Sequence, residues 1–198
     1  MGERLAGGSV ALALLANTVA TGAMLFVLIT MFGPISGAHF NPAVTLVMHW
    51  RGTIGTRAAL GYGVAQVLGG IAEVWIAHAM FDLPVWQISQ HLRAGSGQWL
   101  GEAVATFGLV LTILGTVQSR PAWVPASVAL YITAAYWFTS STSFANPAIT
   151  VARALSNTFA GIAPVSVPGF IAAQLAGALA ALGAARVLLA PGDYPISR

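Results

Sequence analysis

The chain of 198 residues has no cysteine and no lysine, and only 8 basic and 5 acidic side chains. Without cysteine there is no disulfide, no thiolate metal site and no redox motif. Charged residues make up 7% of the chain, against ~25% in an ordinary soluble domain. That is too few to solvate the surface of a soluble protein. The cations are all arginines, scattered singly, and the formal net charge is +3. With no basic run to grip phosphates, a nucleic-acid binder is excluded. Residues 1–8 are not expected to be a signal peptide, since they carry Glu3 and Arg4 and no small-residue cleavage site follows a short apolar core. No His or acidic set has metal-ligand spacing, no cofactor motif is present, and no base stands beside a nucleophile in a recognisable catalytic pattern, so an enzyme is not expected.

What the chain does have is apolar length. Hydrophobic residues are 57% of it and the mean hydropathy is +0.80. Five stretches reach the ~20 residues that cross a bilayer: 9–32, 58–81, 98–117, 123–140 and 167–190. They lack the apolar–polar alternation of barrel strands. The fold class is therefore an all-α membrane protein whose solvent is lipid. Small residues recur in the spans, at Gly61, Gly63, Gly69, Gly70, Gly101, Ala105 and Gly108, where they allow helices in lipid to approach closely. Two further apolar segments, 41–51 and 146–156, are too short to span and suit re-entrant half-helices. With residue 1 outside, Arg51, Arg57, Arg120, Arg186 and Arg198 fall inside and Arg4, Arg93 and Arg153 outside, the sense the positive-inside rule favours.

The two short segments repeat each other. Asn41-Pro42-Ala43-Val44-Thr45 and Asn146-Pro147-Ala148-Ile149-Thr150 lie 105 residues apart, and Gln66 and Gln174, each with a glycine three residues on (Gly69 and Gly177), lie 108 apart. An odd number of spans separates the copies, so they enter from opposite faces, as in an inverted repeat with its site near the midplane. Asn is a good N-cap and Pro suits the first helical turn, so both segments read as helix starts. Two such starts aim two positive dipole ends at one spot. The asparagine oxygens are expected to cap their own helices and the amide N–H groups to face the lumen. Such a site favours neutral hydrogen-bonding solutes and repels cations and protons.

At these residues the chain resembles the aquaporin and aquaglyceroporin family of major intrinsic proteins. Ser36-Gly37-Ala38-His39-Phe40-Asn41-Pro42-Ala43-Val44-Thr45 is similar to the family's first signature and Asn146-Pro147-Ala148 to its second. Gly101-Glu102 with Thr106 resembles the start of the helix that opens each half. The resemblance implies a homotetramer in the cell (inner) membrane, one pore per subunit, passing small uncharged solutes. Glu102 then supports the loop before Asn146, and His39 is expected near the inner pore.

Two departures stand out. The family has six spans and two half-helices; five spans are expected here, in a first repeat over 1–81 and a second over 98–190. Glu102 lies 44 residues before Asn146, and its counterpart for Asn41 would precede Met1. The expectation is that the opening helix of the first repeat is missing and that the true start lies upstream, the alternative being a five-span protein. The second departure is the filter. The family's usual arginine after the second Asn-Pro-Ala is Ile149, and spacing from the asparagines puts the other filter positions at Thr21, Ala134 and Ser143. That set is small and uncharged, as a pore wider than a water filter requires. Arg153, one turn beyond Ile149 on nearly the same face, either reaches back to replace part of the missing arginine's role, or snorkels to the outer interface, or holds the loop at Pro164.

The segment from Ile149 to Pro164 also resembles an arsenic-resistance-associated bacterial subgroup. That implies passage of neutral metalloid hydroxides such as arsenite, with glycerol, of similar size, still open. Water conduction is the alternative within the family. An ion-coupled transporter, for which Glu73 is the candidate carboxylate, is the rival class, and an inactive truncated remnant the third. His49, His78 and His91 are read as interfacial, and 82–97 as an outer connection.

Overall fold

The computed structural model describes residues 1–189. It is built of helices, with no strand among the described residues. A short α1 (Gly2–Leu5) leads into α2 (Val10–Ser36). The half-helix α3 (Pro42–Trp50) follows, then α4 (Thr56–Met80), α5 (Ser96–Ser119), α6 (Val124–Phe138), the second half-helix α7 (Pro147–Arg153) and α8 (Val167–Leu188).

Four of these helices are long and apolar enough to cross a membrane: α2, α4, α5 and α8 with the turn before it. The fifth expected span, 123–140, is shorter than the sequence predicts. Its helix α6 has 15 residues, about 22 Å at 1.5 Å per residue, and a 3-10 turn over Pro121–Trp123 extends it at its N-terminal end. It stops because Thr139 turns to extended backbone, which starts the loop toward Asn146. The second half-helix also ends early, at Arg153. Its carbonyls are then taken up by the chain that follows, with Ile162 N–H donating to Arg153 O at 3.3 Å. Residue 190, the last of the expected fifth span and second repeat, lies outside the described residues.

Packing repeats between the halves. The half-helix α3 packs on α4 and α8, and α7 packs on α8 and α4, while α2 and α6 pair across the centre. The tightest pair is α5 with α8, where a side chain at Gly177 would run into the backbone carbonyl of Ala103. The matching surface of α4 has no helix on it among the described residues. A Cβ at Gly61, Gly63 or Gly69 would meet nothing within 4 Å. Among the described residues these three glycines thus have no packing partner, whereas Gly70, Gly101 and Gly108 do sit at contacts. The core has three parts. Ile29, Val44, Leu109 and Ile132 close one side, and Val47, Val110, Leu114 and Ala178 the other. The third is Phe144, Ala154, Ile162 and Phe170 around the second half-helix.

Candidate functional site

The loops that precede the two half-helices share one backbone plan. Ala38 and Phe40 in the first and Ser143 and Ala145 in the second, each pair 105 residues apart, have φ between 47° and 49°. This left-handed conformation is costly for residues with a Cβ, and fixed hydrogen bonds hold it. Ser36 Oγ accepts from Ala38 N–H and Ser141 Oγ from Ser143 N–H, both at 3.3 Å. Asn41 Oδ1 caps α3 by accepting from Ala43 N–H at 2.9 Å. Asn146 Oδ1 caps α7 by accepting from Ala148 N–H at 3.0 Å and Ile149 N–H at 3.4 Å.

The amide nitrogens reach across. Asn41 Nδ2 donates to Ala145 O at 2.6 Å, and Asn146 Nδ2 donates to Phe40 O at 2.8 Å. This corrects the expectation that the amide donors are simply free to face the lumen. One N–H of each asparagine ties the opposite loop, and the amide's second N–H remains.

Beneath each loop a glutamine and a threonine repeat as well. Gln66 Nε2 donates to Thr45 Oγ1 at 3.0 Å, and Gln174 Nε2 to Thr150 Oγ1 at 2.8 Å. The halves then diverge. In the second, the fully buried Glu102 carboxylate accepts from Phe144 N–H and Ala145 N–H at 2.8 Å each and from Gln174 Nε2 at 2.6 Å. In the first, the matching N–H groups of His39 and Phe40 have no acceptor among the described residues. There His39 Nδ1 lies 3.2 Å from Thr45 Oγ1.

Two cavities meet at this junction. The outer one, of about 1120 Å³, is lined by Thr21, Ser143, Ile149, Arg153, Tyr136 and Glu73 among others, and it extends along α4 from Ala58. The inner one, of about 450 Å³, runs past Asn41, Val44 and Met48 to Thr53 and Val124. His39, Phe40 and Asn146 line both. Ser143 is 2% exposed, and its Oγ has no hydrogen-bond partner.

Of the filter positions taken from spacing, Thr21, Ser143 and Ile149 are brought to the outer cavity, together with Arg153. Ala134 is not; it is exposed on α6. The cavity wall on that helix is Ile132 and Tyr136. Each is two residues from Ala134, about 200° around a helix, so counting back across an irregular loop selected the wrong face. Pro42, Pro147 and Ala43 sit in the first turns of the half-helices. Glu73 faces the outer cavity with no hydrogen-bond partner among the described residues. His78 is not interfacial but buried. Its Nδ1 is 2.9 Å from Val85 O and its Nε2 3.0 Å from Ser156 Oγ, latching the end of α4 to the chain after α7.

Sequence reasoning also missed the connection between α4 and α5, which does more than link them. Ser89 N–H donates to Ala154 O at 2.9 Å, and Ala163 N–H donates back to His91 O at 2.7 Å. Arg93 donates to three carbonyls on either side of α7. Burial lowers the pKa of this guanidinium, the neighbouring Arg153 adds to the effect, and Glu102 opposes it.

Two half-helices that meet end to end between long apolar helices, with a cavity on each side, define a membrane channel of inverted-repeat design. The family described as Major intrinsic protein matches residues 4–140, and the chain belongs to that family. It is 56% identical over 188 residues to the aquaglyceroporin AqpS of Rhizobium meliloti, an alignment covering 95% of this chain and 80% of that protein. It is also 39% identical over 114 residues to a probable aquaporin TIP1-2 of Oryza sativa, and 35% identical over 117 residues to aquaporin-4 of Mus musculus. These two matches cover 56% of this chain and 44% and 36% of the relatives. The chain is thus a multi-pass inner-membrane protein and a channel for small solutes.

Proposed function

We propose that the chain is a passive, wide-pore channel of the aquaglyceroporin type, for neutral hydroxylated solutes such as arsenous acid and glycerol. One observation carries this reading. The outer cavity is bounded beside the second half-helix by Thr21, Ser143 and Ile149, and the buried Ser143 hydroxyl is unpartnered. An unpartnered buried hydroxyl favours a solute that can pair with it, and an aliphatic side chain at 149 gives apolar surface to a carbon backbone or metalloid centre. The half-helix ends, the second amide N–H of each asparagine and the Arg153 guanidinium disfavour cations. The name of the Rhizobium relative is consistent with this solute class.

In this reading Asn41, Pro42, Ala43, Asn146, Pro147 and Ala148 form the central junction. Thr21, Ser143, Ile149 and Arg153 form the outer constriction, His39 lines the inner mouth, and Glu102 supports the second loop. The working unit is a homotetramer, as membership of the family implies. Conduction is tested by stopped-flow light scattering on proteoliposomes. Glycerol and arsenous acid should equilibrate faster than in protein-free vesicles and never beyond equality. A silent protein, or a concentrative flux abolished by Glu73→Gln, overturns the proposal. The tetramer is tested by mass measurement in lipid nanodiscs.

A further inference from the structure

Phe144 sits under two guanidiniums. The Arg153 guanidinium carbon is 4.3 Å from its ring centroid and that of Arg93 is 5.1 Å away. The ring is 5% exposed, is backed by the Phe170 ring at 5.3 Å, and belongs to a residue whose N–H donates to Glu102. Arg153 lines the outer cavity, and apart from this ring its side chain has one polar partner among the described residues, the Tyr136 hydroxyl at 3.2 Å. No carboxylate among the described residues holds it. Its place at the wall therefore depends on where the face of Phe144 is presented.

Arg93 comes from outside the repeat, in the connection between α4 and α5. Its Nε donates to Gly161 O at 2.7 Å, its Nη2 to Phe159 O at 2.9 Å and its Nη1 to Ser141 O at 3.4 Å. The first two carbonyls lie after α7 and the third before it, so one planar fork spans both flanks of the half-helix while covering the ring between them. Its backbone N–H is fixed in turn by Ser166 Oγ at 3.2 Å. A lysine has no planar fork and cannot reproduce three bonds in one plane together with stacking on the ring.

We propose that Arg93 is a positioning residue for solute selection: it sets the face of Phe144 and thereby holds the Arg153 guanidinium at the wall of the outer cavity. This rests on the outer cavity being the conducting path. Arg93 touches no solute, so its loss acts on selectivity through Arg153.

The absence of cysteine allows a test that does not require conduction. Ile149→Cys places a single thiol in the outer cavity. Its reaction with an anionic and a cationic methanethiosulfonate reagent reports the local field. With Arg153 at the wall, the anionic reagent should react faster. Adding Arg93→Lys should lower the anionic-to-cationic rate ratio by about threefold or more, and adding Phe144→Leu, which keeps apolar bulk but removes the ring face, should do the same. In an Arg153→Gln background neither change should move the ratio. In proteoliposomes the glycerol-to-water permeability ratio should follow the same pattern, shifting with Arg93→Lys in the parent and not with Arg153→Gln present. A ratio unmoved by Arg93→Lys, or moved equally in both backgrounds, overturns the proposal, since a mere loop tether acts alike in each. Silent vesicles combined with an Arg153-dependent thiol ratio would instead count against the conduction reading alone.

Discussion

Asn41 and Asn146 hold each other's loops. The amide of each donates to the carbonyl just before the other, at 2.6 Å to Ala145 O and 2.8 Å to Phe40 O, while each side-chain oxygen caps its own half-helix. The junction is a closed set of bonds rather than two independent caps. Asn146→Ala removes a cap worth about 1 kcal/mol and a cross-bond worth about 1 kcal/mol. We expect an earlier unfolding midpoint in detergent together with reduced glycerol flux. Asn146→Asp keeps the cap acceptor and loses the amide donor, so it should retain more of the midpoint than alanine while still losing flux. Equal midpoints for the two variants would show that the cap contributes little.

Glu102 supports only the second loop. Its two oxygens accept from two buried backbone N–H groups and from Gln174. Glutamine has one carbonyl oxygen, and its amide would set a donor against a donor. Glu102→Gln therefore leaves at least one buried N–H unpaired, at a cost of about 1–3 kcal/mol. The expected result is a lower yield of folded protein and a lower midpoint, measured by thermal scanning in detergent. A midpoint equal to that of the parent would mean that the loop is held by its other bonds alone.

The two copies of the motif, their N-caps and most helix limits were legible in the sequence, because caps, proline and apolar length act locally. The filter wall on α6 was not. Ala134 came from counting residues across a loop whose path is set by Glu102 and the opposite asparagine, contacts between segments more than 40 residues apart. Tyr136, two residues on, stands between Ala135 and Trp137 with no polar neighbour to mark it, and only the helix phase identifies it as wall. Arg93 was equally hidden. Its partners are backbone carbonyls, which have no residue type to recognise.

The glycines divide into two kinds that composition does not separate. At Gly177 even a methyl group collides with the carbonyl of Ala103, whereas at Gly69, the matching place in the first repeat, it meets nothing within 4 Å. Gly177→Ala should destabilise the chain by about 1–3 kcal/mol through separation of α5 from α8. Gly69→Ala should stay within about 0.5 kcal/mol of the parent. Unfolding of purified protein in one detergent compares the pair. Equal losses would mean that the face of α4 bearing Gly69 is covered when the protein is folded in detergent.

Ile149 offers the sharpest test of pore width. It stands in the first turn of α7, half-buried, on the wall shared with Thr21 and Ser143. An arginine there adds length and a charge nearer the midplane than Arg153. The two cations, four residues apart on one helix, repel each other by only a few tenths of a kcal/mol, so the fold should survive Ile149→Arg. A narrower, more polar constriction penalises solutes by size, because water passes singly while a trihydroxyl solute must clear the guanidinium. Glycerol and arsenous acid permeabilities should fall about tenfold and water should change by less than about threefold. Stopped-flow scattering with the three permeants reads this directly. Equal losses for all three would locate the limiting constriction elsewhere, at the asparagine junction or the inner mouth near His39.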